Sequence, residues 1–481
     1  MQLRNAPGCA LLLVLSSLVA ALARADDVQD CVNASGETRL FACNRAIESG
    51  RWQGANAAWA YNNRGRARYQ MGDYDDAIAD YNHAIALDPK RAFSFISRGD
   101  AKRARGDIDG AIADFTRAIA LDRGSADAYA GRGYANYQKG EFNTAIADFD
   151  RAIELDPKFA GVHGNRAEAK SAVGDFAGAI ADLDRAIELN PQSSIDYENR
   201  GEVKWQTGDL EGAMSDLNRA IELDPKNADA YGNRGAAKIA KGDFEGAIAD
   251  FNRAIGIDPK YASAYRNRGS AKAKKGDLDG AIADYSRAIE IEPKYAEAYS
   301  NRGLVKRDKG DLDAAIADFS RAIELDPKLT PAYKSRGIAR FFKGEMAPAA
   351  ADFARAQEWK DDAYSAIWGY LARMRSGADG KDELVASAGK LGDAAKWPAP
   401  VIAFYLGKRT PAMLFEAARI GDPKAQREQL CEANFYLAEW HLLKNEKADA
   451  RSLLHAAADQ CPKDFHESTG AVYELKRLGK R

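Results

Sequence analysis

The feature that most constrains this chain is a period. Residues 228–261, ADAYGNRGAAKIAKGDFEGAIADFNRAIGIDPKY, are one copy of a 34-residue unit written nine times without a gap from Ala58 to Ala363. With the copies aligned in 34 columns, column 8 is glycine except at Ala167, and column 15 is glycine throughout, from Gly72 to Gly344. Columns 20 and 27 are alanine in every copy, and column 32 is proline in seven. A unit this short cannot bury an apolar face alone, so its copies must stack on one another.

Within the unit, Tyr231, Gly235, Ala247, Phe251 and Ala254 recur at spacings of three, four and seven. That is one apolar stripe on each of two helices. The column-15 glycine fits the residue after a helix, where positive φ is needed. The acidic residue at column 16, Asp243 here, caps the second helix and suits its dipole. Proline at column 32 blocks continuation of that helix. Small columns 8, 20 and 27 let the helices approach, and the aromatic columns 4 and 24 fill the remaining space. The pattern resembles the tetratricopeptide repeat. The resemblance implies an all-α, right-handed superhelix of helical hairpins with the first helix of each on the inner wall.

Around the repeats the chain changes character. Residues 1–25 read as a secretory signal peptide: Arg4 begins it, Cys9–Leu22 is apolar, and Ala23-Arg24-Ala25 offers a cleavage site. The apolar run is too short to span a membrane, and no other such run appears. Removing Arg4 and Arg24 with it leaves 67 basic and 71 acidic residues, a balance that does not favour nucleic acid. The expected organisation is a capping half-repeat at 26–57, nine repeats at 58–363, irregular helices at 364–430, a degenerate repeat at 431–464 and a capping helix at 465–481.

Export changes how the cysteines read. Four remain after cleavage, which allows three pairings. Cys31 and Cys43 lie in the N-terminal half-repeat, Cys431 and Cys461 in the degenerate one. In an antiparallel hairpin the start of helix one lies beside the end of helix two, so each local pair can staple one end of the array. Oxidised pairs suit an exported, periplasmic chain.

From Trp397 onward, FYLG at 404–407, CEANFYL at 431–437 and the closing helix with Glu467, Glu474 and Leu475 resemble the end of new lipoprotein I, a bacterial outer-membrane family. That family scaffolds murein hydrolases and a periplasmic protease, so the resemblance implies cell-wall enzymes or proteases of the envelope as partners. This chain lacks the lipid-anchor cysteine and has many more repeats.

Catalytic patterns are missing from the sequence. The histidines His83, His163, His441, His455 and His466 show no metal-ligand spacing, and there is no nucleophile elbow or phosphate loop. We expect no catalytic residue, metal or cofactor. Two departures from the general repeat stand out instead. Column 7 is arginine in all nine copies and column 11 basic in eight, while column 23 is aspartate in all nine. The simplest account is a structural ladder in which each aspartate holds basic groups on the neighbouring helix.

Column 6 is asparagine six times, at Asn63, Asn165, Asn199, Asn233, Asn267 and Asn301. In peptide-binding members of the resembled family these residues form a ladder on the concave wall, and an amide both donates to and accepts from an extended backbone. A solvated consensus asparagine is the plain alternative. The resemblance also turns columns 2, 5, 9, 12 and 13 to the groove. Trp59, Tyr69, Phe93, Ile96, Tyr134, Tyr137 and Trp205 occupy them, with Phe341 and Phe342 in the ninth repeat. Exposed aromatics on such a wall suit peptide anchors. The expectation is therefore a non-enzymatic envelope adaptor that binds peptides or proteins. The alternative is an envelope enzyme or carbohydrate binder with its site in 364–430.

Overall fold

The computed structural model describes residues 27–359, 362–390, 396–463 and 465–479; the expected signal segment 1–25 lies outside them. Every regular element among the described residues is helical. The chain forms two compact units, one up to Ala237 and one from Lys238 on.

The first unit begins with a helix over 27–33 and another at Gly36–Glu48, with Cys31 bonded to Cys43 at a Cα separation of 4.7 Å. Helical hairpins follow, such as Ala92–Ala104 with Ile108–Leu121 and Ala126–Gln138 with Phe142–Leu155. The turn chemistry explains the hairpins. Each column-15 glycine has φ between 80° and 92°, a region that side chains with a Cβ avoid. The next residue then caps the second helix in most repeats, as where Asp107 accepts from the Gly110 amide at 3.0 Å, though Asp73 and Glu141 make no such bond.

Packing follows the columns. A Cβ on Gly65 would lie 2.8 Å from the Tyr81 ring, and one on Gly133 would lie 2.7 Å from Phe149. The aromatic of column 24 therefore sits where column 8 has no side chain. Ala111, Ala118, Ala145 and Ala152 are fully buried between helices.

The arginines set the register. Arg200 grips Asp216 with two hydrogen bonds, Nε at 2.8 Å and Nη2 at 2.7 Å, while Lys204 reaches the same carboxylate at 2.8 Å. Its remaining nitrogen, Nη1, donates to Asp184 of the preceding repeat at 2.6 Å. One guanidinium thus ties together two successive repeats, and it lies over the Tyr197 ring at 5.5 Å. The backward contact uses column 25, whose polar residues Asn82, Thr116 and Asp150 receive Arg98, Arg132 and Arg166 in the same way. Burial would raise the Asp182 carboxyl, but hydrogen bonds from Arg166 and Lys170 outweigh it and hold it below its ordinary value.

The second unit continues the hairpins through Thr330–Lys343 and Met346–Trp359. Its ladder has the same form: Arg302 pairs with Asp318 and donates back to Ser286 at 2.9 Å. Beyond the repeats come Ala363–Arg375, Lys381–Lys390, Ala399–Tyr405 and Pro411–Ala417, then the long helix Pro423–Leu443, Lys447–Gln460 and the closing helix His466–Gly479. Cys431 and Cys461 are bonded at a Cα separation of 5.0 Å. Trp368, Phe435 and Tyr436 form an aromatic core among these helices.

Phe341 and Phe342 depart from expectation. They were expected to face a groove, yet they are 0% and 3% exposed. Two helices beyond the repeats cover them: Trp368 of Ala363–Arg375 packs edge-on to Phe341 at 4.9 Å, and the closing helix lies against Phe342. Tyr473 stacks on Phe342 at 5.2 Å, and Arg477 Nη2 donates to both phenylalanine carbonyls at 2.6 Å. Those carbonyls lie in the last turn of a helix, where intrahelical donors run out, and Phe341 also accepts from the capping Gly344 amide at 3.0 Å. Among the described residues no helix is long and apolar enough to cross a membrane.

Candidate functional site

The first helix of each repeat presents columns 2, 5, 6, 9, 12 and 13 on one face, because those positions recur at helical spacing. In repeats two to four this face lines a groove of about 620 Å³ with Phe93, Ile96, Asp100, Arg103, Asp127, Tyr134, Phe159 and Asn165. Phe93 is 51% exposed, unusual for phenylalanine and suited to an anchor. Tyr134 carries the guanidinium of Arg103 at 4.8 Å and stacks on Tyr137 at 6.1 Å. Tyr137 opens a second hollow of about 290 Å³ with Glu168, Asn199, Glu202 and Gln206. A third, of about 250 Å³, is lined by Asn165, Glu168, Ile195, Asp196 and Asn199.

The carboxylates of this face are partly desolvated. Burial, then the charges of Glu202 and Asp229, push Glu198 up to about 8. Burial raises Glu168 and Glu202 in the same way, and burial followed by the neighbouring Asp127 raises Asp100. A face of this kind gains when a cation approaches it.

The asparagines are placed on this face but are partly engaged. Asn199 donates to Glu168 at 3.2 Å, Asn233 donates to Glu198, and Asn63 donates to the Trp59 carbonyl at 3.0 Å. Asn165 lines two of the hollows, and Asn267 and Asn301 are half-buried on the second unit. Phe93, Tyr134 and Tyr137 come together with Ile96 along repeats two and three. Tyr69 packs half-buried on the Tyr81 cluster, with its ring 5.6 Å from Tyr74. Trp59 packs on the Cys31–Cys43 cluster, edge-on to Trp52 at 5.2 Å, apart from that row. Trp205 is half-buried on Ser194–Gln206.

The carboxylates were the part missed in sequence. Columns 5 and 9 carry Glu198, Glu168 and Glu202 only in repeats four and five, so averaging over nine copies hides them. The irregular segment 364–430, expected to hold the alternative site, contributes Tyr364, Ser365 and Trp368 to a cavity in the second unit. The carboxylates of that cavity, Asp362, Glu432 and Glu467, come from outside the segment. His441, Glu446 and Asp449 bring one ligand atom each within 4.8 Å of one another on a surface turn, where His441 already bonds Glu446 at 2.6 Å.

Models of the TPR repeat and the tetratricopeptide repeat match residues 58–91, 96–158, 160–193, 201–307 and 296–329, together more than half of the chain. The chain belongs to the tetratricopeptide repeat family. Solved structures similar to it include YrrB, described as a TPR protein with an unusual peptide-binding site. It is 25% identical over 38% of this chain and 95% of its own, with a TM-score of 0.33. The MamA protein is 29% identical over 35% of this chain and 92% of its own, with a TM-score of 0.31. A tetratricopeptide repeat protein from Parabacteroides merdae is 19% identical over 51% of this chain and 98% of its own, with a TM-score of 0.42. A tetratricopeptide array is a protein-binding scaffold, and in this one the first-helix face carries the hollows described above.

Proposed function

We propose that this tetratricopeptide array is an adaptor that holds extended polypeptide segments on the first-helix face of repeats two to five. It favours segments with both apolar and basic side chains. One observation carries the reading: Phe93, Ile96, Tyr134 and Tyr137 line that face in repeats two and three with the desolvated carboxylate Asp100, and Glu168 and Glu202 follow in repeats four and five. The aromatics offer apolar steps, and the carboxylates offer charge that a lysine or arginine would offset. Asn165 keeps an amide on the same wall for the ligand backbone.

The adaptor acts outside the reducing cytoplasm. Support comes from the two cysteine pairs, each at a Cα separation suited to a disulfide, and from the signal-like segment 1–25. Segments of exported proteins, envelope hydrolases and proteases among them, are then the natural ligands. Selection of peptides displayed at random on the purified chain, residues 26–481, tests the reading. Enrichment of sequences that combine Lys or Arg with Phe, Tyr, Leu or Ile is expected. Acid-rich winners, or no enrichment over a scrambled background, would refute it.

A further inference from the structure

In the second unit a cavity of about 360 Å³ lies among Ile338, Phe353, Trp368, Phe465, Glu432 and Glu467. Its size falls in the class of small-ligand sites, roughly 300–1,000 Å³. Much of the wall is apolar and aromatic, and besides Asp362 two carboxyl groups line it while being only 5% and 4% exposed. Tyr364 Oη and Trp397 Nε1 donate to Glu432 at 3.2 and 2.9 Å. Tyr436 Oη and the Trp368 side chain donate to Glu467. These four donors are neutral. They hold the carboxyls in place without offsetting the like charge between them.

Buried carboxylates are normally paired with cations. Burial raises both groups, and the charge of Glu467 raises Glu432 further. Burial and the like charge of the neighbour both disfavour ionising the two together. A carboxylate has about four acceptor positions, so each retains capacity toward the cavity after these donors and, for Glu467, its own backbone amide. Lys334 on the same cavity is already paired with Asp362 at 2.9 Å.

We propose that this cavity is a binding site for one guanidinium or ammonium group on an apolar stem, the chemistry of an arginine or lysine side chain. The charged head lies between Glu432 and Glu467, and the stem packs on Trp368, Phe353 and Phe465. The proposal stands on the second unit alone and does not depend on the groove of repeats two to five.

Proton uptake runs against this binding. At low pH the pair retains a proton that the cation must displace, so affinity rises with pH and binding near neutrality releases protons. The other ionisable groups facing the pair act in known directions. His466, if protonated, would also oppose the ligand at low pH. Lys334 is held by Asp362, and Glu428 adds to the negative charge on Glu432. Tyr364 and Tyr436 stay neutral, because burial and the nearby glutamates raise them.

Calorimetric titration of the disulfide-intact chain with N-acetyl-arginine methylamide, N-acetyl-lysine methylamide and N-acetyl-citrulline methylamide tests the site. Citrulline keeps the shape of arginine without its charge. The charged probes should bind at least about tenfold more tightly than citrulline, and Glu467→Gln or Glu432→Gln should cost at least about tenfold. Heats measured in two buffers of different ionisation enthalpy should show proton release at pH 7. Equal binding of citrulline, no binding of the charged probes, or full affinity in a glutamine variant of unchanged circular dichroism would overturn the proposal. The citrulline comparison needs no variant, so it decides the matter even if both substitutions disturb folding.

Discussion

Asn233 donates its side-chain amide to Glu198, one repeat earlier in the array. Asn199 does the same to Glu168. The asparagine column is therefore not a row of free amides in repeats five and six; it braces carboxylates on a partly desolvated face. Those carboxylates give the array a pH dependence.

Glu198 has an ordinary value of 4.5 and is pushed up to about 8 in the fold. Between those two values the folded chain holds a proton that the unfolded chain has released, so stability falls as pH rises through that window and then levels. Glu198→Gln removes the ionisation. Its thermal midpoint should exceed the parent's at pH 9, and the gap should narrow toward pH 5. Parallel curves for parent and variant across that range would contradict the assignment.

Two glycines in the second unit should respond oppositely to alanine. A Cβ at Gly303 would lie 2.8 Å from the Phe319 ring, whereas one at Gly256 meets nothing within 4 Å. Gly303→Ala should cost about 1–3 kcal/mol by overpacking. Gly256→Ala lies in the helix Phe244–Ile257 and should add about 0.5–1 kcal/mol through helix propensity. Urea denaturation separates them; a neutral Gly303→Ala would remove the close-approach account of column 8.

The ladder is asymmetric. Asp318 holds Arg302 at 2.8 Å and Lys306 at 2.7 Å, with 7% side-chain exposure against 18% and 21% for the cations. Asp318→Ala strips two cations of a shared partner, while Arg302→Ala leaves Lys306 in place. The aspartate variant should lose roughly 3–5 kcal/mol and the arginine variant clearly less. Equal losses in chemical denaturation would mean that the pairs act independently.

The disulfide between Cys431 and Cys461 closes a loop with a sequence separation of 30. The chain-entropy model assigns roughly 3–4.7 kcal/mol to a loop of that order. The double change Cys431→Ser and Cys461→Ser should lower the thermal midpoint, and a reducing agent, which opens Cys31–Cys43 in both proteins, should lower the parent by more than the variant. A parent that ignores the reducing agent would show that the bond adds nothing.

The repeat period made most of the fold legible. Column 8 announced its close approach because a side chain is missing there, and column 15 announced its turn because only glycine adopts that φ freely. The forward half of the ladder was also readable, since columns 7 and 23 never vary. The backward half was not: column 25 mixes Asn, Thr, Asp and Ser through the first eight copies, which share an acceptor oxygen rather than an identity, and ends on Ala354. Phe341 and Phe342 were misplaced because repeat geometry carries no information about a helix more than 120 residues later that returns to cover them. The groove carboxylates escaped notice because they belong to single copies, and a periodic reading sees only what recurs.

Binding at the groove is the central claim, and affinity for defined peptides tests it most directly. The probes are two extended ten-residue peptides that differ only in charge, one with Lys and Phe, the other with Glu and Phe, titrated by fluorescence anisotropy. The parent chain should bind the lysine peptide and not the glutamate one. Tyr134→Ala with Tyr137→Ala should weaken the lysine peptide by at least about tenfold, as loss of buried aromatic anchors does, with helical circular dichroism unchanged. Undiminished binding by the folded double variant, or equal binding of the glutamate peptide, would contradict the account.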